Sequence, residues 1–266
     1  MQKINEILNS DIKKLDRCKY CGKEYIIKEF KVFEGKPEEK ITRLEVPACN
    51  CIELQEQRRK SAAEEKEKKE RLDKLFENSL ITPYFKKKTF ENLQKKAVEY
   101  GNEKELKRLY QYAQNFKKNE TPGIFLTGKP GVGKTSMLAA VSNELIQRGF
   151  NVLFVTFSAL MERFLKYSAE HNGDIYPLLM WLVKFDFVVI DDIGRENYTD
   201  RRKEIAYRII DTLLNYEIPT GFTANPEMLD KLRKIEDWGA VLDRLKDICG
   251  LAINFKGESV RGRKWQ

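Results

Sequence analysis

A glycine-rich turn between an apolar run and a helix-forming segment restricts the possible folds of this chain more than any other feature. Residues 123–141 have the sequence GIFLTGKPGVGKTSMLAAV, in which residues 128–135 match the pattern G-x-x-x-x-G-K-[ST] in full. Glycine allows backbone N–H groups to surround phosphate oxygens, and a helix that begins at Lys134 directs its positive end at the same anion. Because the pattern follows a predicted strand and opens a helix, it predicts a nucleotide site.

Two residues of this loop have specific expected roles. Lys134 is expected to contact the β- and γ-phosphates, and Thr135 is expected to ligate Mg²⁺. The complete set of predicted nucleotide-binding residues is Gly128, Lys129, Pro130, Gly131, Val132, Gly133, Lys134, Thr135 and Ser136.

A second apolar run ends in two aspartates that suit the other side of a magnesium site. The segment FDFVVIDDIG (185–194) predicts a buried strand with Asp191 and Asp192 at its carboxyl end, where ligands lie in parallel sheets. Asp191 is expected in the magnesium shell, and Asp192 is expected to orient or deprotonate the attacking water. The alternative is that they are a helix N-cap and a turn residue.

Apolar runs recur between helical patterns along this part of the chain. Short apolar strands that alternate with helices predict an α/β fold, in which a five-stranded parallel sheet is flanked by helices. Residues 226–250 are mostly helical in pattern and suit a small lid. The predicted strands are 123–127, 151–157, 185–190, 220–224 and 251–255.

Four of the five cysteines lie near the N-terminus in two closely spaced pairs. Two predicted strands between the pairs form a hairpin around residues 35–37, which brings the pairs together. Zinc prefers four thiolate or imidazole ligands, and a module this small needs a metal ion or another cross-link to fold stably. An iron–sulfur cluster or unrelated reduced thiols are the alternatives, and Cys249 is expected to be a buried core thiol. The predicted zinc ligands are Cys18, Cys21, Cys49 and Cys51.

Residues 53–76 form a highly charged segment without an apolar stripe through its middle. Glutamates precede lysines or arginines by four residues several times, as in Glu64–Lys68, which predicts a solvated helical spacer, with disorder as the alternative. The predicted organisation is a zinc-binding domain (1–52), a charged helical linker (53–79) and a nucleotide-binding domain (80–266).

The overall charge and hydropathy restrict the partners and the compartment. The 49 Lys and Arg against 41 Asp and Glu give a net charge of +8, which favours a polyanionic partner without requiring one. No apolar run reaches the roughly 18 residues of a membrane span, and the N-terminus lacks the apolar core of a secretion signal. A cytoplasmic protein with no membrane partner is expected, in which thiols stay reduced.

Together these segments resemble the AAA+ ATPases of the DnaC/DnaI replicative helicase loaders and their relative IstB, a transposition ATPase. The resemblance covers about residues 80–266, and the four-cysteine module favours the loaders, because IstB proteins usually lack it. The segments that carry it are KKTFENL (87–93), TGKPGVGKT (127–135), VVIDDIG (188–194), IIDTLLNYEIPTGFTAN (209–225) and GESVRGR (257–263).

The resemblance implies roles for individual residues. Asn225 matches sensor 1, Arg244 matches the arginine finger that reaches a neighbouring subunit, and Arg261 matches sensor 2. An ion pair with Asp243 or Asp247 is the ordinary alternative for Arg244. Loaders bind single-stranded DNA after the Walker B strand, and an exposed first helical turn is the alternative there. The implied DNA-binding residues are Thr199, Arg201, Arg202 and Lys203.

The resemblance implies an ATPase with ATP, Mg²⁺ and Zn²⁺ as cofactors. Such a protein associates with itself through the AAA+ domain, binds a replicative hexameric helicase through residues 1–52 and loads it onto single-stranded DNA. Asp192 stands where most AAA+ enzymes have glutamate, which implies slow hydrolysis, and Thr212-Leu213 replaces an arginine pair of many relatives. The alternatives are an IstB-like regulator of transposition and a non-catalytic ATP-binding adaptor.

Overall fold

The computed structural model describes residues 12–32, 40–46, 49–194, 199–235, 238–256 and 259. The chain divides into two compact units, Met1–Lys69 and Glu70–Gln266. Helix α1 (Cys51–Asn78) crosses the boundary between them. The division into domains 1–52, 53–79 and 80–266 stays a prediction.

The first unit contains a three-stranded antiparallel sheet. Its strands are β1 (Ile12–Arg17), β2 (Glu24–Val32) and β3 (Lys40–Val46), with β2 in the centre. The β2–β3 register runs from Ile26 opposite Val46 to Val32 opposite Lys40, as a hairpin requires. The pattern thus located two of the three strands, and the predicted turn at residues 35–37 lies outside the described residues.

The charged segment predicted to be helical forms the long middle part of α1. Most of its side chains between residues 53 and 71 are exposed, which agrees with the absence of an apolar stripe. Towards its end, Leu72, Leu75 and Phe76 pack against the core of the second unit. No helix in the described parts of the chain has the length and apolar character to cross a bilayer.

The second unit contains the predicted five-stranded sheet, with strand order β5-β6-β7-β4-β8 and parallel pairing throughout. Its strands are β4 (Gly123–Gly128), β5 (Val152–Thr156), β6 (Phe187–Ile193), β7 (Thr220–Ala224) and β8 (Cys249–Phe255). The helices are α2 (Pro83–Lys86), α3 (Phe90–Glu99), α4 (Glu103–Asn115), α5 (Lys134–Gln147), α6 (Phe157–Glu170), α7 (Tyr176–Leu182), α8 (Asp200–Asn215), α9 (Pro226–Arg233) and α10 (Trp238–Ile248).

The sheet is covered on both faces, as its apolar strands require. Successive residues of a strand point to opposite faces. Val188 and Ile190 of β6 belong to a core cluster that includes residues of α6, α7, α8 and α10, whereas Phe187 and Val189 belong to a second cluster that includes residues of α3, α4 and α5. All four side chains are completely buried. This double burial explains why the strand is an unbroken apolar run.

Within the segment predicted to be mostly helical, residues 226–233 and 238–248 form helices, but α10 does not form a separate lid. Its buried side chains, Trp238, Val241 and Leu245 among them, belong to the same core cluster as β6 and α8. The structure therefore places α10 in the body of the fold.

Candidate functional site

The loop between β4 and α5 has backbone conformations that favour glycine. Gly128 has φ of +147°, and a Cβ atom there would lie 2.7 Å from the Phe255 carbonyl oxygen. Gly133 has φ of +99° and occupies the N-cap of α5. Non-glycine residues rarely adopt these angles. The pattern recognised in the sequence thus reflects steric demands of the turn itself.

Lys134, the first residue of α5, directs its ammonium group back across the loop. Its Nζ donates hydrogen bonds to the carbonyl oxygens of Gly128 (2.6 Å) and Lys129 (3.1 Å) and to Oδ1 of Asn225 (2.9 Å). The side chain is buried, and Asn225 reaches it from the carboxyl end of β7. Two residues that are 91 positions apart in the sequence therefore meet at the loop.

Asp191 at the carboxyl end of β6 is held by two threonine hydroxyls. Thr135 Oγ1 donates to its carboxylate at 2.9 and 3.1 Å, and Thr223 Oγ1 donates to Oδ1 at 2.7 Å. Burial raises the pKa of Asp191, and the two hydroxyl donors oppose that shift. Carboxylate and hydroxyl oxygens are the ligands that Mg²⁺ prefers, so Thr135 and Asp191 suit this ion.

Asp192 has the left-handed conformation, with φ of +61°, which aspartate tolerates better than most residues. Its backbone N–H donates to Thr223 Oγ1 at 2.8 Å, and its half-buried side chain lines the same cleft as Asp191. Thr223 therefore orients both aspartates, a role that neither motif revealed.

These groups line one cleft of about 270 Å³. Two aromatic residues, Tyr84 and Phe85 of α2, form part of its wall and were not among the predicted site residues. Val132 is buried in the core, Gly128 and Lys129 accept from Lys134, and the other predicted loop residues line the cleft. The cleft is lined by Tyr84, Phe85, Pro130, Gly131, Gly133, Lys134, Thr135, Ser136, Asp191, Asp192, Thr223 and Asn225.

Two buried asparagines hold the walls of this cleft, and the motifs did not identify either. Asn102 occupies the N-cap position of α4, yet its Nδ2 donates to the Val132 carbonyl in the loop at 3.2 Å. Asn143 of α5 donates to backbone carbonyls just after Tyr84. The available signal was an asparagine between apolar residues within the sequence of α5.

Arg244 on α10 is paired within its own chain. Its Nε donates to Asp211 Oδ1 at 2.9 Å, its Nη2 contacts the Tyr207 hydroxyl, and its guanidinium lies 4.3 Å from the Tyr207 ring centroid. The expected alternative pairing with Asp243 or Asp247 is not the one found, because α8 supplies the partner. Asp243 instead accepts a hydrogen bond from Lys246 at 2.7 Å.

Residues 199–203 form the N-cap and first turn of α8, in which Arg201, Arg202 and Lys203 are half-buried, and their DNA-binding role stays a prediction. Thr199 accepts from the Arg202 backbone N–H at 3.4 Å, and Lys203 pairs with Asp200 at 3.2 Å. The Arg201 side chain donates to Ser168, to the Gly173 carbonyl (3.2 Å) and to Glu204 (2.7 Å). Tyr198, the neighbouring aromatic residue, and Arg261 lie outside the described residues.

The four N-terminal cysteines come together in the first unit. The sulfur atoms of Cys18, Cys21, Cys49 and Cys51 all lie within 4.8 Å of one another. A zinc ion with tetrahedral bonds of about 2.3 Å needs sulfurs roughly 3.8 Å apart, so the cluster is close to this geometry. A tight turn brings the first pair together, because the Gly22 N–H donates to the Cys18 carbonyl at 2.8 Å.

The thiols of this cluster differ in their readiness to ionise. The pKa of Cys18 is lowered to about 6, chiefly because the backbone N–H of Tyr20 donates to its sulfur. The pKa of Cys51 is raised to about 12, chiefly through its hydrogen bond with Cys21. A bound cation stabilises thiolates, so these residues fit a metal site and could hold one.

A family model and several curated relatives match most of this chain. Residues 57–266 match the family described as IstB-like ATP binding protein. The replicative helicase loader DnaC of Escherichia coli (strain K12) is 30% identical over 205 residues, which are 77% of this chain and 82% of DnaC. The uncharacterized protein YdaV of the same strain is 27% identical over 192 residues, 72% of this chain and 75% of YdaV.

Solved structures share the fold. The crystal structure of DnaI superimposes with a TM-score of 0.55 at 21% identity and covers 68% of this chain and 95% of DnaI. DnaA from Aquifex aeolicus bound to AMPPCP has a TM-score of 0.53 at 21% identity and covers 66% of this chain and 51% of DnaA. The second unit therefore has the AAA+ fold. Because the family match extends over most of the chain, this protein belongs to the family of IstB-like ATP-binding proteins.

Proposed function

We propose that this protein is an ATPase that loads a replicative DNA helicase onto single-stranded DNA. The observation that carries the proposal is the convergence of Lys134, Thr135, Asp191 and Asn225 on one cleft beside the glycine-rich loop. The similarity to DnaC, which has the name of a replicative helicase loader, directs the proposal to this class of ATPase.

In this proposal the cleft holds the phosphates of ATP at one end and its base at the other. The backbone N–H groups of the loop residues other than Pro130 surround the phosphates, and Lys134 exchanges its carbonyl partners for β- and γ-phosphate oxygens. Thr135 and Asp191 hold Mg²⁺, which neutralises charge on the phosphates when it is bound. The aromatic residues Tyr84 and Phe85 supply an apolar wall for the base.

Hydrolysis would use the residues at the strand ends. Asp192 orients or deprotonates the attacking water, and Asn225 contacts the water or the γ-phosphate from the end of β7. The shorter reach of aspartate relative to glutamate suits slow turnover. We propose that single-stranded DNA stimulates it.

The four-cysteine cluster is proposed to hold structural zinc and to keep the first unit folded. Four thiolates at these separations are a donor set typical of closed zinc sites. Residues 1–52 would then contact the hexameric helicase, as the variable N-terminal domains of loaders do.

Single-stranded DNA is proposed to bind at the start of α8, through Thr199, Arg201, Arg202 and Lys203. Cationic side chains bind the phosphate backbone without reading sequence. Because Arg201 already donates to Ser168 and Gly173, DNA binding there requires it to exchange these partners.

Self-association would place Arg244 at a neighbouring subunit's nucleotide, and Arg261 is proposed to act as sensor 2. In the single chain Arg244 is paired with Asp211, so this role requires the pair to open.

The experiment compares Lys134→Ala with Lys107→Ala, which removes an exposed lysine of α4 and matches the change in charge. Binding of a fluorescent ATP analogue and co-purification with a replicative hexameric helicase are measured with the full-length chain. The proposal requires that nucleotide binding is lost only in Lys134→Ala and that the wild type retains the helicase. Retention of a transposase and duplex DNA in place of the helicase would support the IstB-like function. Tight ATP binding with no turnover, with or without single-stranded DNA, would support a non-catalytic adaptor.

A further inference from the structure

We propose that Asn143 is a positioning residue, which fixes the aromatic wall of the cleft at the correct distance from the phosphate loop. The inference rests on the proposed binding of ATP in this cleft. Asn143 touches no group that reacts, and it acts through the backbone of residues 85–88.

The amide group of Asn143 gathers three carbonyls of one short segment. The two hydrogens of its Nδ2 are shared among the carbonyl oxygens of Phe85 (2.9 Å), Lys86 (3.2 Å) and Lys88 (2.7 Å). The side chain is only 4% exposed. One buried donor group therefore holds the segment immediately after Tyr84 against α5.

The segment needs such an anchor because it has little structure of its own. Helix α2 has four residues, and helices this short do not persist without tertiary contacts. The backbone N–H groups of Phe85 and Lys86 both donate to the Thr82 carbonyl, so these bonds stay within the segment. The Phe85 ring packs 5.5 Å from that of Phe154, and Asn143 adds the polar contacts that fix the backbone.

The same helix holds both ends of the cleft. Lys134 and Thr135 stand at the beginning of α5, and Asn143 follows Lys134 by nine residues, which is about 13 Å along a helix axis. A helix of this length is stiff, so α5 sets the spacing between the phosphate loop and the aromatic wall. A nucleoside triphosphate has its charged phosphates and its planar base at opposite ends, and this spacing must match it.

The carbonyl oxygen of the Asn143 side chain also indicates a role beyond packing. Within the described part of the chain, the Oδ1 atom of Asn143 is buried without a hydrogen-bond partner. A leucine of similar size would avoid burying this lone acceptor. The polar contacts of Nδ2 with the three carbonyls are therefore the contribution that asparagine makes at this position.

The test compares a ligand that has both phosphates and a base with a ligand that has phosphates alone. Asn143→Leu and Asn143→Ala are compared with Ser142→Ala, a control on the same helix whose buried hydroxyl donates only to the Leu138 carbonyl of α5. Dissociation constants are measured for magnesium-ATP and for magnesium-tripolyphosphate, which has no base or sugar. We expect both Asn143 variants to bind ATP about tenfold more weakly and tripolyphosphate within about twofold of the wild type. Ser142→Ala should match the wild type for both ligands.

Three results would overturn the inference. The first is ATP affinity within twofold of the wild type in a folded Asn143 variant. The second is an equal loss of affinity for ATP and tripolyphosphate, which would indicate a general structural effect. The third needs no variant: it is a wild type in which ATP protects the backbone amides of residues 84–89 from hydrogen exchange no more than tripolyphosphate does. A wild type that binds neither ligand would refute the proposed ATPase itself, an outcome distinct from these.

Discussion

Replacement of Thr223 by valine is expected to destabilise the second unit, because it removes the hydrogen bond from Thr223 to Asp191. Thr223 is 1% exposed, and its hydroxyl donates to Asp191 Oδ1 at 2.7 Å and accepts from the Asp192 N–H at 2.8 Å. Valine has nearly the same shape, so the substitution removes two hydrogen bonds while leaving the packing almost intact.

The expected loss follows from these two bonds. A hydrogen bond to a charged carboxylate contributes about 1.5–3 kcal/mol, and one from a backbone N–H contributes about 0.5–1.5 kcal/mol. The free energy of unfolding should therefore fall by roughly 2–4 kcal/mol. Thr220→Val is the matched control on the same strand: Thr220 is completely buried, but its hydroxyl donates only to the Ile218 carbonyl two residues away. Its substitution should cost about 1 kcal/mol.

The effect should depend on pH with a definite sign. Burial raises the folded-state pKa of Asp191, so at high pH the charged carboxylate is held in an unfavourable place and relies on its donors. Removal of the Thr223 donor raises this pKa further. The cost of Thr223→Val should thus be largest above the folded-state pKa of Asp191 and should shrink as the pH falls through it.

The assay is urea unfolding followed by tryptophan fluorescence. All three tryptophans, Trp181, Trp238 and Trp265, belong to the second unit, so the signal reports the unit that contains Thr223. A loss no greater than that of Thr220→Val, or a loss that stays constant as the pH is lowered, would refute the reasoning.

Three further predictions concern other parts of the chain. Gly128→Ala should lower the free energy of unfolding by more than about 2 kcal/mol in the same urea assay, because Gly128 has a positive φ and a Cβ atom there would clash with backbone. The control Gly239→Ala should not be destabilising, because a Cβ atom at residue 239 would lie in open space. Asp191→Asn should raise the free energy of unfolding at neutral pH in the absence of Mg²⁺, because it removes a buried charge; equal or lower stability in urea would contradict this. Cys51→Ser should release zinc to a colorimetric chelator faster than Cys249→Ser, and equal rates would exclude the four-cysteine site.

The sequence predicted the site residues whose types are required by the local backbone geometry. The glycines of the loop, and the aspartates after a continuous apolar strand, each follow from the demands of a few consecutive residues. Strand order was not needed to expect that Lys134 and Asp191 would meet, because carboxyl ends of parallel strands share one edge of the sheet. The same periodic reasoning located all five strands of this sheet.

The residues that were missed depend on packing between distant segments. Asn143 donates to carbonyls that lie 55 to 58 positions earlier in the chain, and Asn102 donates to the Val132 carbonyl, which lies 30 positions later. No periodic pattern marks such contacts, since any short segment that lies over α5 would create them. Strand β1 was missed for a related reason, because six residues with little apolar character become a strand only by pairing with β2.

Arg244 illustrates why a residue's pairing in a single chain and its role in an assembly can differ. The Asp211 and Arg244 side chains are 34% and 28% exposed, and ion pairs at such exposure contribute about 1 kcal/mol or less. A contact between arginine and a phosphate is charge-assisted and bidentate, and therefore stronger than this pair. The pairing with Asp211 does not oppose an intersubunit role, because opening it costs less than a phosphate contact would return. The Tyr207 ring, which lies against the guanidinium, adds a second contact that must also be exchanged. The Arg244–Asp211 pair is thus compatible with the proposed contact between Arg244 and a neighbouring subunit's nucleotide.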